Sequence, residues 1–425
     1  MEKTKKSPSK LVSIIVVLFL IFTAGLFLLA NKEKLAPKTK IAFYGLPENQ
    51  VKIFCTQIEK LTDAKGKKIN YAFINLDTSL PLSSQLKKSY DAVITYMGKS
   101  AQDAVAFTGK KADKVAAPSS LAKGMTLATS AITIKSPSGK ISCMPLLTDV
   151  WEALVNIPQK GESTPTFTDW ASLENFVSQT KAEFSSPILF ASAEPSCLTD
   201  IAGIILLTTE GKDSYTQKAQ ALKELAENTS PAEKENAFKL FIKENLFCVS
   251  QKFSYWSSNN LIPRKLQTYD SQTVFYLMEE AQPSIVFLTL TNHRKVKQQV
   301  IENYKSIPEY TDESQSYFPA EEGISTLNIC SPTICYVPLS AKKNTESLLD
   351  YLMMPSVQER LANITGLAPV LASCQTADLQ SSDAQFWVAA SEAPVTPLSL
   401  YSFSDSQELQ IFANAMESLF DENMN

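Results

Sequence analysis

The sequence predicts an α/β body carried behind an N-terminal membrane-spanning segment, and three observations make the case. Leu11–Ala30 (LVSIIVVLFLIFTAGLFLLA) is a run of twenty residues without a charge. Beyond it, apolar stretches of strand length alternate with helical stripes of apolar residues. With 425 residues, 44% of them apolar and 20% charged, the chain has the composition of a globular protein of two or three domains.

The apolar run can cross a hydrocarbon core of about 30 Å as a helix, whereas a signal-peptide core needs only about 7 to 15 residues. It ends Leu28-Leu29-Ala30, with bulky Leu28 where a cleavable signal wants a small residue, so an uncleaved anchor is expected. Lys3, Lys5, Lys6 and Lys10 precede the run and Lys32, Lys34, Lys38 and Lys40 follow it, so flanking charge does not orient it. The expectation is export of the long domain that follows. No Cys stands at the end of the run to carry a lipid.

Three strand-length runs come next, Ile41–Tyr44, Tyr71–Leu76 and Ala92–Tyr96, with Val51, Phe54, Ile58 and Leu61 at helical spacing between the first two. That is a βαβαβ order. Unbroken apolar strands mean a mostly parallel sheet covered on both faces, and such sheets bind ligands beyond the carboxyl ends of their strands. A hairpin-like piece follows, Ile132–Lys135 and Lys140–Pro145 around the turn Ser136–Gly139. Trp151–Asn156 reads helical or extended, Thr168-Asp-Trp170 opens a helix, and Pro187–Phe190 is a further strand. Tyr215, Ala219, Leu222 and Ala226 line a helical stripe, and Ser230-Pro-Ala-Glu233 is a capping box that starts another helix bearing Phe238, Phe241 and Leu246. Pro283–Leu290 is β-like, Leu327–Val337 extended, and two helices follow, Asn344–Leu352 and one from Pro355 to a stop at Gly366. The tail from Ser382 looks helical at both ends.

Several chemistries are disfavoured. The net charge is −4 with charges interspersed, which argues against nucleic acid as a partner. There are 12 glycines and no GxGxxG, GxxxxGK[ST], GxSxG or HExxH spacing, so phosphate-cradling loops and those catalytic motifs are absent. The single histidine, His293, lies in a basic stretch with no flanking carboxylate and reads as a solvated turn. Seven cysteines leave at least one unpaired within the chain, and Cys330 with Cys335 forms the one close pair, open to a disulfide, a metal or two buried thiols. Enzymatic hydrolysis would have to use a carboxylate pair.

Four segments resemble the extracellular solute-binding proteins of ABC importers, the family of maltose-binding and other sugar receptors. Ser138-Gly139-Lys140-Ile141 to Pro145, continuing to Asn156, is similar to its "GK-x-Y-x-x-P … YN" crossing, and Pro165-Thr-Phe-Thr-Asp-Trp170-Ala-Ser-Leu173 to its "P-x-T-W-D-E-L" helix start. Pro283–Asn292 stands where these proteins have a strand that recrosses between lobes. Leu348–Asp350 to Met354-Pro355-Ser-Val-Gln358, with Thr365-Gly366-Leu-Ala-Pro369, resembles "F-L-x-x-L-x-S-P-E-V-Q … T-G-x-x-P".

The resemblance implies a two-lobe periplasmic-binding-protein fold, type II-like, with three interlobe crossovers near Cys143–Leu146, Leu290–Asn292 and Asn328–Ser331, preceded by the transmembrane helix. Its domains would be 1–36 (tail, anchor, tether), 37–143 with 292–329 as lobe 1, 146–290 with 332–371 as lobe 2, and a helical segment 372–425 packed on both. The function implied is binding of a small polar solute, a saccharide, and its delivery to an ABC permease, with no catalysis and no cofactor. The protein would stand on the outer side of an inner (cell) membrane. Candidate ligand contacts, placed at strand ends and crossovers, are Tyr44, Tyr96, Trp151, Trp256 and Asn292; Trp170, at a helix start, is read as structural. The chain departs from the family where Thr291-Asn292-His293 follows the recrossing strand in place of Gly and Trp. The alternative is a receptor-like fold without transport, acting as an envelope structural or interaction protein; a cleft lined by polar and aromatic groups favours the first reading, one filled by apolar side chains the second.

Overall fold

The computed structural model describes residues 38–62, 66, 68–86, 90–156, 167, 169–306, 330–377, 388 and 394–422. The apolar run Leu11–Ala30 lies outside them, and among the described residues no helix is long and apolar enough to cross a membrane. In chain order the strands are β1 (Thr39–Phe43), β2 (Tyr71–Asn75), β3 (Ala92–Tyr96), β4 (Ile134–Lys135), β5 (Ile141–Thr148), β6 (Trp151–Asn156), β7 (Ile188–Leu189), β8 (Ile285–Thr289), β9 (Tyr304–Ser306), β10 (Thr333–Pro338) and β11 (Ala368–Pro369).

They make two sheets. The first has the order β11-β5-β10-β3-β1-β2, with β4 paired to β5, and the second β7-β8-β6-β9. In the first, β1 pairs in parallel with β2 and β3, as the βαβαβ pattern requires, and its two faces enter separate cores. Ile41 and Phe43 pack with Phe54, Ile94, Leu146 and Tyr336, while Ala42 packs with Val93, Cys143 and Val337 on the other face. Burial on both faces is why these strands read as unbroken apolar runs. The second sheet and its helices close around Leu154, Trp170, Phe190, Ile205, Phe238, Trp256 and Phe287.

Helix limits follow local chemistry. Asp169 caps Trp170–Thr180 by accepting from the Ser172 amide at 2.7 Å, in a capping box. Pro355–Thr365 starts on proline and stops at Gly366, whose φ of 77° is left-handed. The stripe Tyr215, Ala219, Leu222 and Ala226 is buried on Pro195–Asn228, a long helix broken at Gly211. The Ser230–Glu233 box instead closes a turn, its hydroxyl bonded to the Glu233 carboxylate, and the helix begins at Lys234.

The passages between units differ from those expected. The chain leaves the first sheet through β5 and enters the second as β6, so the first crossing is Thr148–Trp151, beyond the expected Cys143–Leu146. Leu290–His293 is a short helix ending β8 and does not cross, because β9 returns to pair with β6. The return, Cys330–Thr333 into β10, overlaps the expected Asn328–Ser331, of which 328 and 329 lie outside the described residues. A strand coming back must run opposite to the one that left, which is why β10 is antiparallel to both β5 and β3. The chain crosses once more after Leu371, bridged to Met125 in the first unit, and before Val395, in the second core. The allocation of lobes is thereby corrected: residues 292–306 belong with the second sheet and 332–371 with the first. The Cys330–Cys335 alternatives resolve to buried free thiols.

Candidate functional site at the junction of the units

The passages lie side by side. Trp151 N donates to Cys330 O at 3.1 Å, Asp149 N to Pro332 O at 2.8 Å, and Ser331 N to Val395 O at 2.8 Å. β1 and β3 end at this junction from one unit and β8 from the other, so strand-end loops of both units converge there.

Asp149 sits at the centre. Its carboxylate accepts from Val150 N at 2.9 Å, Thr291 N at 3.3 Å and Thr291 Oγ1 at 2.6 Å, tying the first crossing to the end of β8. Burial nevertheless wins over these bonds and pushes its pKa up to about 6. Tyr96 closes the first-unit side. Its hydroxyl donates to Gln50 Oε1 at 3.3 Å, and burial together with the Asp149 charge raises its pKa. On the second-unit side Glu152, 1% exposed, bonds His293 Nδ1, so the histidine read as a solvated turn without a carboxylate has one, supplied from β6. Asp200, raised to about 7 by burial, accepts from Trp151 Nε1 at 3.3 Å and from Ser399 N at 3.0 Å.

The expected contacts fall into two groups. Tyr96 and Asn292 are half-buried at the junction, Asn292 accepting from Lys295 Nζ at 2.9 Å. Tyr44 and Trp151 are at the junction but buried, the Tyr44 hydroxyl donating to Leu80 O at 3.0 Å and to Ser404 O. Trp256 is a correction. It is 0% exposed inside the second core, between Trp170 and Phe253, with its Nε1 on Glu174 Oε1 at 2.7 Å. A tryptophan in a helix pattern is legible as amphipathic but not as facing cleft or core. Sequence reasoning missed Asp149, Glu152 and Asp200. A signal for the first two existed, since they are the only charges in the otherwise apolar or uncharged stretch Ile141–Asn156.

The segment Thr396–Ser406 fills one side of the junction. It packs on the second unit, where Tyr215 OH donates to Thr396 O at 2.7 Å, and reaches the first, where Ser406 N donates to Thr78 O at 2.9 Å. Gly98, just past β3, lies directly against Leu400 O. Lys99 pairs with Glu227 across the junction at 3.0 Å. Among the described residues no group of three or more His, Cys, Asp or Glu could hold a metal. The junction thus gathers buried carboxylates, hydroxyls and one half-buried ring, the acids each held by hydrogen bonds from across the fold.

Two α/β units joined side by side through such passages make up the solute-binding-protein fold, and solved structures of that class superpose on nearly the whole chain. The bacterial solute receptor AcbH, which has an exclusive preference for β-D-galactopyranose, is 12% identical with a TM-score of 0.64, over 91% of this chain and 96% of that one. RafE of Streptococcus pneumoniae is 13% identical with a TM-score of 0.58, over 91% and 97%. A probable secreted solute-binding lipoprotein of Streptomyces coelicolor is 11% identical with a TM-score of 0.58, over 91% and 99%. Likeness at such identities establishes the fold. No protein-family model matches the chain, and no curated protein sequence matches it significantly.

Proposed function

We propose that the chain is a membrane-anchored, extracytoplasmic solute-binding receptor of the type II-like two-lobe form, which captures a saccharide and presents it to an ABC permease. The observation that carries this reading is the junction itself: strand ends from both units and three chain passages meet at Tyr96, Asp149, Thr291 and Asn292. A solute touching both units favours the closed arrangement by its extra contacts there, so binding and closure are one equilibrium. Ligands of the structural neighbours support a carbohydrate, among them β-D-galactopyranose, stachyose and chitin oligosaccharide. The reading calls for no catalytic residue, cofactor, metal or nucleic acid. The anchor Leu11–Ala30 would confine the receptor near its permease and raise its effective concentration there.

The test is thermal unfolding of the detergent-solubilised full chain against mono- and oligosaccharides, amino acids and peptides. A ligand at a hundred times its Kd stabilises by about 2.7 kcal/mol, several degrees in Tm for a chain of this size. At least one saccharide is expected to give that shift. A panel without any shift favours the second reading, an envelope interaction protein, for which the observation is the Thr396–Ser406 segment already spanning both units.

A further inference from the structure

The end of the first unit opposite the junction carries a second feature. β1, β3 and β5 run the same way, so Thr39, Ala92 and Ile141 begin at this end, where β10 finishes at Pro338. A cavity of about 240 Å³ opens there, walled by Tyr336, Ser340 and Thr345 and ringed by Lys114, Lys140 and Lys342. All three lysines are exposed. Lys40, Lys110 and Lys111 stand exposed nearby, at the start of β1 and past the helix Lys99–Thr108.

The opposing acids are few and mostly engaged. Asp91 pairs with Lys342 at 2.8 Å and accepts from Lys40 N at 2.9 Å. The Asp113 carboxylate accepts from Ser138 N and Oγ, while Lys140 Nζ donates to the Asp113 carbonyl at 3.1 Å. Glu346 also lines the cavity. Lys114 has no ion pair among the described residues. In a chain of net charge −4, this concentration of positive charge at one end is a local electrostatic feature.

The N-terminal chain enters β1 at this same end. Eight residues separate Ala30 from Thr39, and fully extended they span at most about 30 Å. We propose that this end of the first unit is a docking face for anionic phospholipid headgroups of the membrane that holds Leu11–Ala30, with a lipid phosphate seated between Lys114, Lys140 and Lys342. The proposal rests on reading Leu11–Ala30 as an anchor. A tether of this length lets the face come within a Debye length of a negative surface, about 8 Å at physiological salt, where the lysines feel its attraction. Docking would turn the junction away from the bilayer, toward arriving solute.

The test uses the full chain in lipid nanodiscs, one set of phosphatidylcholine and one also containing phosphatidylglycerol, with lysine acetylation read by mass spectrometry. Lys114, Lys140 and Lys342 are expected to react at least fivefold more slowly on anionic discs. The protection should vanish at 0.5 M salt, where the Debye length falls to about 4 Å, and exposed Lys243 of the second unit should be unchanged. Equal reactivity on both discs, or protection that extends to Lys243, overturns the docking face alone. Protection on neutral discs by added inorganic phosphate assigns the cavity to a free anion and overturns the lipid assignment. A chain that does not co-elute with discs overturns the anchor, and the proposal with it.

Discussion

Gly98 provides the sharpest test of the junction. It has φ 129°, and a Cβ built on it would lie 2.2 Å from Leu400 O and 2.7 Å from Leu400 C. Relief of Gly98→Ala therefore requires backbone of the two units to part by about an ångström. The conformational strain, on the order of 1–3 kcal/mol, is present whether the units touch or not. The overpacking, also about 1–3 kcal/mol, exists only while they touch. Closure should then weaken roughly five- to 150-fold. Hydrogen exchange of the full chain in detergent reads this directly, because the Ser406 amide is bonded to Thr78 O across the junction. In the variant that amide should exchange at least fivefold faster while the Leu288 amide, in β8 of the second core, keeps its wild-type rate. An unchanged Ser406 rate in a folded variant refutes the argument. Equal acceleration at Leu288 also refutes it, since the substitution would then have loosened the whole fold.

Three further outcomes are expected. Tyr96→Ala should reduce the saccharide-induced rise in Tm while leaving the unliganded Tm within a few degrees, because the ring is half-buried at the junction; loss of the folded state would return it to the core. Trp256→Phe should lower Tm by several degrees without altering saccharide affinity, since it removes a hydrogen bond to the buried Glu174 carboxylate, which keeps Lys252 at 2.8 Å, at a cost of about 1–3 kcal/mol; a changed Kd in titration calorimetry would count against its core placement. Asp149 holds its proton more tightly folded than unfolded, so its contribution is most favourable below pH about 4 and is lost as pH rises through about 6. Asp149→Asn should accordingly gain on wild type by on the order of 3 kcal/mol between pH 4 and pH 8 in urea unfolding, and a constant offset would show that the carboxylate does not titrate as described.

Much of the fold was legible because local chemistry and burial agree. Ala92–Tyr96 and Tyr71–Asn75 are strands where the apolar runs stand, and Gly366 ends its helix as a left-handed residue must. The site was less so. Tyr96 closes β3 and Asn292 follows β8, two strands that end at the junction, and position along a strand is a sequence property. Trp256 went to the core because which side of a helix faces cleft or core depends on what packs against it, here Trp170 and Phe253.

By itself the sequence determined most of the alternation of strands and helices, helix limits such as Trp170 and Gly366, and the apolar N-terminal run, since each depends on neighbours a few residues away. Only tertiary structure decided which unit each segment joins. β9 and β10 are both short extended pieces, and nothing in their residues says that one returns to β6 and the other crosses to lie between β3 and β5. Only tertiary structure, too, brought Glu152 to His293 and Thr291 to Asp149, across 141 and 142 positions of the chain. A buried acid is tolerable only with such partners, and the partners are chosen by the packing of two sheets, which no local pattern encodes.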